Sequence, residues 1–148
     1  MANVLSSAAR WFADNHHVAR LATASSVGEP HVIPFCYARL GDNLYFVVDE
    51  KPKASHTGLK RLRNIRENPK VSVVIDYYDD DWTQLAYLLM HGQAIDVDDE
   101  AEFDLALRQL RVRYPQYLEM PLAFKTNPMV RIEVTRMHQW QSAKLSNR

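Results

Sequence analysis

The sequence is poor in cysteine, with Cys36 as its single thiol among 148 residues. One cysteine excludes an intrachain disulfide and any zinc or iron–sulfur site that needs several thiolates. The histidines show no metal-ligand spacing, so no metal site is predicted. Cys36 stands within an apolar run, and we expect a small buried hydrophobic residue in a protein of the reducing cytoplasm.

Excess charge and long hydrophobic runs are also absent. Eighteen basic and eighteen acidic residues give a formal net charge of zero, which argues against bulk attraction to nucleic acid or to an anionic membrane. No run reaches the roughly 18 apolar residues of a membrane span, and the first residues lack the pattern of a secretion signal. The sequence therefore predicts neither a nucleic-acid partner nor a membrane partner.

The composition is that of an ordinary globular domain. Hydrophobic residues make up 47% and charged residues 24% of the chain, close to globular averages. No internal repeat, low-complexity tract or long linker divides the sequence. We therefore predict a single domain over residues 1–148.

Six segments rich in β-branched and aromatic residues predict strands. They are residues 18–24, 31–40, 44–49, 71–78, 82–97 and 129–140. In the last of them, Val130, Ile132 and Val134 alternate with polar residues, as expected for a strand with one wet face. Because most connections are short, a closed or nearly closed antiparallel barrel is expected, which would protect the strand edges.

Two helices are predicted from periodicity and capping signals. The first lies near the N-terminus, capped by Asn3 or Ser6, and its apolar face is predicted to be Val4, Ala8, Trp11 and Phe12. The second begins after Asp99, which has capping-box spacing to Glu102, and it ends at Pro115. These helices are expected to flank the barrel.

A third helix carries most of the basic residues of the central segment. From about Gly58, an inward stripe is formed by Leu59, Leu62 and Ile65, and the outward positions are Lys60, Arg61, Arg63 and Arg66. Cations in the first turns oppose the helix dipole unless an anion binds there. Two interpretations remain open: a solvated helix face, or a site for a phosphate or polycarboxylate ligand.

The stretch "RLATASSVGEPHVIPFCYARLGDNLYFVVDEK…LKRLRNIRENPKVSVVID" resembles the split-barrel flavin-binding superfamily of the pyridoxamine 5'-phosphate oxidase type. Its elements are Thr23 in a small-residue strand, the G-x-P turn at Gly28 and Pro30, the apolar strand at 33–35, and the helix led by Lys60. The chain looks most like the small members assigned to the deazaflavin coenzyme F420. The resemblance implies a mainly β fold, a six-stranded antiparallel split β-barrel with short flanking helices.

The same resemblance implies a cofactor site at the interface of a homodimer. The cofactor ring would contact His31, Ile33, Pro34 and Phe35 on one wall and Val47, Val48 and Asp49 on another. The phosphate would be held by Lys51, Lys53, Lys60 and Arg63, with spare charge for a polyglutamyl tail. The partner subunit would contribute Tyr77 and Trp140.

The implied function is that of an oxidoreductase that uses coenzyme F420, or FMN as the alternative, for hydride transfer to or from a small organic substrate. Catalytic side chains are not identified, although Tyr37 and Tyr77 are candidate proton donors. The C-terminal segment contains Arg136 and His138 but lacks the motif that binds vitamin B6 substrates. One alternative is a flavin, deazaflavin or tetrapyrrole binding protein without turnover. A distant alternative is a barrel for single-stranded nucleic acid.

Overall fold

The computed structural model describes residues 3–49 and 56–142. Three α-helices lie within these ranges, α1 (Ser7–Asn15), α2 (His56–Glu67) and α3 (Glu100–Arg113). Seven strands accompany them: β1 (Ala19–Ala24), β2 (Pro30–Phe35), β3 (Ala38–Leu40), β4 (Asn43–Val47), β5 (Lys70–Tyr77), β6 (Ala86–Asp96) and β7 (Met129–Gln141). Short 3-10 helices span Trp82–Gln84 and Pro115–Glu119.

The strands form one antiparallel sheet in the order β2-β1-β5-β6-β7-β4-β3. The long strands β5, β6 and β7 occupy its middle, and the short strands β2 and β3 form its two edges. The sheet curls around a core that contains apolar residues from most of its strands, together with residues of α1 and α2. The predicted mainly β split barrel is confirmed, with seven strands in place of the expected six.

The additional strand arises because the predicted strand 31–40 is interrupted between β2 and β3. Tyr37 is fully buried at this break, and its hydroxyl donates to the backbone carbonyls of Ala13 and His16. Its own N–H donates to the Tyr114 hydroxyl at 3.2 Å. The neighbouring Cys36 is exposed, so the prediction that this thiol is buried is wrong.

Helix α1 packs on the barrel through a face that includes Phe12, as predicted, but Val4, Ala8 and Trp11 are exposed, so the prediction is wrong for these three. The predicted cap is confirmed at Ser6, whose side chain accepts from the Ala9 N–H at 3.1 Å. The buried helical positions are Ala9, Phe12 and Ala13. Trp11 is 63% exposed, because a 3.6-residue period that buries positions 9, 12 and 13 turns position 11 toward solvent.

Arg113 holds the C-terminal end of α1 from a distant part of the chain. Its guanidinium donates to the carbonyls of Asp14 at 2.8 Å and His16 at 3.1 Å. The same group lies 4.7 Å from the centre of the Tyr37 ring. The carbonyls that a helix leaves unpaired at its end are thus bound by a cation, which also complements the helix dipole.

Helix α3 covers the other side of the sheet and forms a second apolar cluster. The Asp99 side chain accepts from the Glu102 N–H at 3.0 Å, which confirms the predicted start. The helix buries Phe103, Ala106, Leu107 and Leu110 against residues of β3, β4 and β7. The side chain of Glu102 does not return to the cap. It accepts instead from Arg131 at 2.8 Å and from the Tyr45 hydroxyl at 2.6 Å.

Among the helices in the described ranges, none combines the length and apolar character that a membrane crossing requires.

Candidate cofactor-binding site

Helix α2 turns Leu62 and Ile65 inward, as predicted, and the side chain of Leu59, the third residue of the predicted stripe, lies outside the described residues. Leu62 and Ile65 are buried in the barrel core. Lys60 and Arg63 are exposed, in agreement with the sequence. Arg61 differs from the prediction, because it is half-buried and its guanidinium carbon lies 5.7 Å from the centre of the Phe46 ring. The helix therefore presents cations both to solvent and to the aromatic interior.

A cleft of about 510 Å³ separates α2 from the turn between β1 and β2. We refer to it as the α2 cleft, and it is lined by Ser25, Ser26, Val27, Glu29, Lys60, Arg63, Asn64 and Glu67. Lys60 Nζ lies 3.8 Å from a Glu29 oxygen, and Arg63 Nε lies 3.3 Å from a Glu67 oxygen. Exposed pairs of this kind contribute about 0–1 kcal/mol, so an anionic ligand can compete for both cations.

A buried hydrogen bond links α2 to the inner face of the sheet. Thr23 and Asn64 are both buried, and Asn64 Nδ2 donates to Thr23 Oγ1 at 3.1 Å. His31 is the cross-strand partner of Thr23, and partners in register have side chains on the same face of a sheet. Since Lys60 precedes Asn64 by one helical turn, the structure brings His31 and Lys60 into the same part of the molecule.

The imidazole of His31 has a buried nitrogen in this region. Nδ1 of His31 is buried and lacks a hydrogen bond with any residue in the described ranges. Most buried polar atoms are paired, and an exception calls for an explanation such as a ligand or a water molecule. The inner face beneath α2 is therefore suited to receive a polar group of a ligand.

Most of the predicted ring contacts on β2 and β4 are core residues. Ile33, Phe35 and Val48 are buried in the barrel core, and Val47 is buried in the α3 cluster. Pro34 is exposed, as alternation along β2 requires. These four buried side chains can pack behind a ligand site, but they are not accessible to a ligand in this chain.

The end of β4 lies near the break between β2 and β3. Asp49 is exposed there, and its carboxylate contributes to the raised pKa of Tyr117, for which burial is the largest cause. The two remaining predicted phosphate ligands, Lys51 and Lys53, lie outside the described residues.

Tyr77 and Trp140 lie at one end of the sheet but on opposite faces. Tyr77 has its ring 6.1 Å from that of His16, on the side of α1. Trp140 stacks on Tyr87 at 5.7 Å, and Tyr87 points outward because its neighbours along β6 point into the core. Of the two predicted partner contacts, only Trp140 is on the outer face.

Tyr37 cannot donate a proton to a ligand in this structure. Its side chain is completely buried, and its hydroxyl is occupied by two backbone carbonyls. Burial raises the pKa of this hydroxyl far above its usual range. Tyr77 is 45% exposed and remains the accessible candidate of the two.

Two features of the site were missed from the sequence. Arg61 was assigned to the solvent face with its neighbours, and only the position of Phe46 shows that it turns inward. Asn64 was passed over, although a polar residue between Leu62 and Ile65 in an inward stripe indicates a buried hydrogen bond.

Comparison with known proteins places this geometry in a family. The family model described as pyridoxamine 5'-phosphate oxidase matches residues 5–141. None of the curated proteins matches the chain.

Several solved structures share the fold. A conserved hypothetical protein from Mycobacterium tuberculosis superimposes with a TM-score of 0.74 and 22% identity, over 99% of this chain and 91% of that one. HutZ, the heme storage protein from Vibrio cholerae, gives a TM-score of 0.72 and 15% identity, over 97% and 99% of the two chains. An F420 reductase superimposes with a TM-score of 0.65 and 23% identity, over 90% of this chain and 98% of that one. The family model covers nearly the whole length, and the chain belongs to the pyridoxamine 5'-phosphate oxidase family.

Proposed function

We propose that the protein is an oxidoreductase that binds coenzyme F420, with FMN as the alternative, and transfers a hydride to or from a small organic substrate. Membership of the family and the fold shared with an F420 reductase support this proposal. The cytoplasmic location remains a prediction from the composition.

The observation that carries the proposal is the cationic α2 cleft beside an unpaired buried histidine nitrogen. Lys60 and Arg63 line the cleft, and their present partners are exposed carboxylates that bind them weakly. His31 Nδ1 lies buried without a partner on the same side of the sheet. A cofactor phosphate would gain two charge-assisted contacts, and the ligand would satisfy the histidine.

Lys60 and Arg63 would hold the phosphate, and the Thr23–Asn64 hydrogen bond would keep α2 at a fixed distance from the sheet. When bound, a deazaflavin or flavin supplies the hydride or accepts it. Buried Ile33 and Phe35 would exclude water from the side of the site that faces the core. Tyr77 is the side chain proposed to move a proton, because its hydroxyl lies at an exposed end of the sheet.

We also propose a homodimer in which the second subunit completes the ring pocket. The outer face of the sheet carries apolar side chains without a covering layer, including Val32 at 66% and Trp140 at 42% exposure. The stacked rings of Tyr87 and Trp140 provide a flat surface at one end of this face. Cofactor affinity should then fall on dilution to monomer, as measured by fluorescence titration beside analytical ultracentrifugation. Unchanged affinity of the monomer would contradict the shared pocket.

The decisive experiment is a parallel titration of the purified protein with FMN and with coenzyme F420, followed by absorbance and fluorescence. Lys60→Gln and Arg63→Gln should each weaken binding of the correct cofactor about tenfold or more, because each removes a charge-assisted contact worth about 1.5–3 kcal/mol. Arg66→Gln is the matched control, since Arg66 is on the same helix and is also paired with a carboxylate, that of Asp96, but does not line the cleft. If neither cofactor binds, the proposal fails.

A second candidate function is tetrapyrrole binding without turnover, which the fold shared with a heme storage protein favours. Titration with heme tests this candidate in the same preparation. A protein that binds heme but neither FMN nor F420 supports this alternative. Reduction of the bound F420 or FMN, followed by its reoxidation by an acceptor, supports the oxidoreductase.

A further inference from the structure

A second cleft lies on the outer face of the sheet. It has a volume of about 430 Å³ and spans the strands β1, β5, β6 and β7. We call it the outer cleft. Thr23, which is hydrogen-bonded to Asn64 on the inner face, borders it, and its other polar and charged lining residues are Lys70, Ser72, His91, Gln93, Thr135 and Arg136. The lining contains two full cations and a histidine but no carboxylate. Its electrostatic character is therefore suited to an anion.

The centre of the outer cleft is a hydrogen-bonded pair. Ser72 Oγ and His91 Nδ1 are 2.8 Å apart, on neighbouring strands in register. When the serine hydroxyl donates to Nδ1, the neutral imidazole carries its proton on Nε2, which is then a free donor. Nε2 has no hydrogen-bond partner within residues 3–49 and 60–142. Arg136 is the register partner of His91 on the next strand, so a guanidinium stands beside that donor.

The two cations of the outer cleft lack an acidic partner in the part of the chain that the structure describes. Neither Lys70 nor Arg136 forms an ion pair with a residue of the described ranges. Lys60, Arg63 and Arg66 of α2, by contrast, have glutamate or aspartate partners. Two cations that converge on one cleft without a carboxylate repel each other, and an anion removes that repulsion.

A local irregularity of the sheet shapes the outer cleft. The pairing of β6 with β7 shifts by one residue at His91 and Gly92, which leaves Thr135 as the extra residue of a bulge. Its hydroxyl donates to the His91 carbonyl at 3.2 Å. A Cβ at Gly92 would lie 2.3 Å from the carbonyl oxygen of Glu133, so the close approach of the strands requires glycine. Bulges of this kind redirect side chains and are frequent beside functional sites.

The geometry points to a second ligand site: we propose that the outer cleft binds the oxyanion group, phosphate or carboxylate, of a small molecule through His91 Nε2, Arg136 and Lys70. The Ser72–His91 pair orients the imidazole and does not act as a nucleophile with its base, because no carboxylate supports the histidine within the described residues. Lys70 and Tyr77 are seven residues apart on β5, so the cleft lies roughly 23 Å from the aromatic end of the sheet. The outer cleft is thus distant from Tyr77 and Trp140, whereas it shares Thr23 with the region of the α2 cleft, because Thr23 is hydrogen-bonded to Asn64.

The test is a titration of the isotope-labelled full chain, without cofactor, with inorganic phosphate in one arm and succinate in the other. Amide resonances of Ser72, Gly92 and Thr135 and the His91 ring nitrogens should shift with one ligand or with both. The responsive arm identifies phosphate or carboxylate as the group bound. Because no cofactor is present, the outcome is independent of the proposed redox function.

Three variants complete the test. Arg136→Gln and Lys70→Gln should each weaken binding about tenfold or more, since each removes a charge-assisted contact. Arg20→Gln is the matched control, because Arg20 is on the same face of the sheet but is paired with Asp76 outside the cleft. Lys70 begins its strand, so its substitution remains informative if Arg136→Gln fails to fold. The proposal is overturned if neither ligand shifts these resonances, or if Arg20→Gln weakens binding as much as the cleft variants do.

Discussion

Helices α2 and α3 both pack on the same sheet, yet they are stabilised in different ways. Helix α3 has a side-chain cap at Asp99, two acidic residues in its first turn and two basic residues in its last turn. This arrangement complements the helix dipole at both ends. Helix α2 has no acidic residue in its first turn, and Lys60 and Arg61 follow directly in its second turn. At its N-terminal end the charges of α2 therefore oppose the helix dipole, whereas those of α3 complement it.

The ion pairs of the two helices also differ, because those of α3 are partly buried and those of α2 are exposed. Glu102 of α3 and Arg131 are about one-fifth exposed and share a network with the Tyr45 hydroxyl. The side chains of Lys60 and Glu29, at α2, are 46% and 67% exposed. Partly buried charge pairs with several hydrogen bonds stabilise a fold, whereas exposed pairs contribute little. The difference agrees with the proposal that α2 binds a ligand through its cations, whereas the charges of α3 stabilise the fold.

The largest expected effect tests the anchoring of α3. Phe103→Ala should lower the free energy of unfolding by about 3–5 kcal/mol, because it removes a ring that is 1% exposed in the second apolar cluster. Chemical denaturation measures this loss. Leu105→Ala on the same helix is the control, since Leu105 is 53% exposed and its substitution should change stability by about 0.5 kcal/mol or less. Equal losses of unfolding free energy in Phe103→Ala and Leu105→Ala would contradict the view that the buried face of α3 stabilises the fold.

A smaller effect is expected from the ionic network of α3. Glu102→Gln keeps the shape of the side chain but removes the charge that binds Arg131 and Tyr45. We expect a loss of about 1.5–3 kcal/mol by denaturation. Glu100→Gln, an exposed first-turn carboxylate on the same helix, should cost about 0.3–1 kcal/mol through the dipole alone. A Glu102→Gln loss no larger than this control would mean that the network is not stabilising.

Alkaline pH should weaken the same network. Burial, followed by the hydrogen bond to Glu102, raises the pKa of Tyr45 to about 12 from its ordinary value of 10.0. A group whose pKa is raised in the folded state contributes stability that is complete below pH 10 and is lost as the pH rises toward 12. Tyr45→Phe should therefore show a shallower loss of stability over this range in denaturation curves. Tyr78→Phe, which alters an exposed ring, should keep the wild-type slope.

The smallest effect on stability is expected at α2. Lys60→Gln and Arg63→Gln should each change the free energy of unfolding by no more than about 1 kcal/mol, because their ion pairs are exposed. The same variants should weaken cofactor binding, as measured in the titration proposed above. A loss of stability as large as that of Glu102→Gln would contradict the functional assignment of the α2 cations.

Local patterns predicted most of the fold. The alternation of residues 129–140 matches β7, and the capping signal at Asp99 matches the start of α3. Such features depend on neighbours in the sequence and are therefore readable from it. The break between β2 and β3 was missed because the acceptors of the Tyr37 hydroxyl are carbonyls of α1, which no local pattern indicates.

The candidate site was predictable in its chemistry more than in its geometry. The basic character of α2 was evident, and His31 and Lys60 do lie in the same region of the structure. Sequence alternation could not show that Tyr77 and Trp140 lie on opposite faces, because their relative orientation depends on the register between β5, β6 and β7. For the same reason the outer cleft was not predicted, since its residues come from separate strands.

The binding of α1 by Arg113 has a consequence for synthesis on the ribosome. The Asp14 carbonyl and the Arg113 guanidinium are 99 positions apart in the chain, and domains form their long-range contacts only after both segments have been made. During translation, α1 therefore lacks its contact with Arg113 until about three-quarters of the protein has been made. A nascent chain stalled before Arg113 should leave α1 more accessible to a protease than a chain stalled after α3.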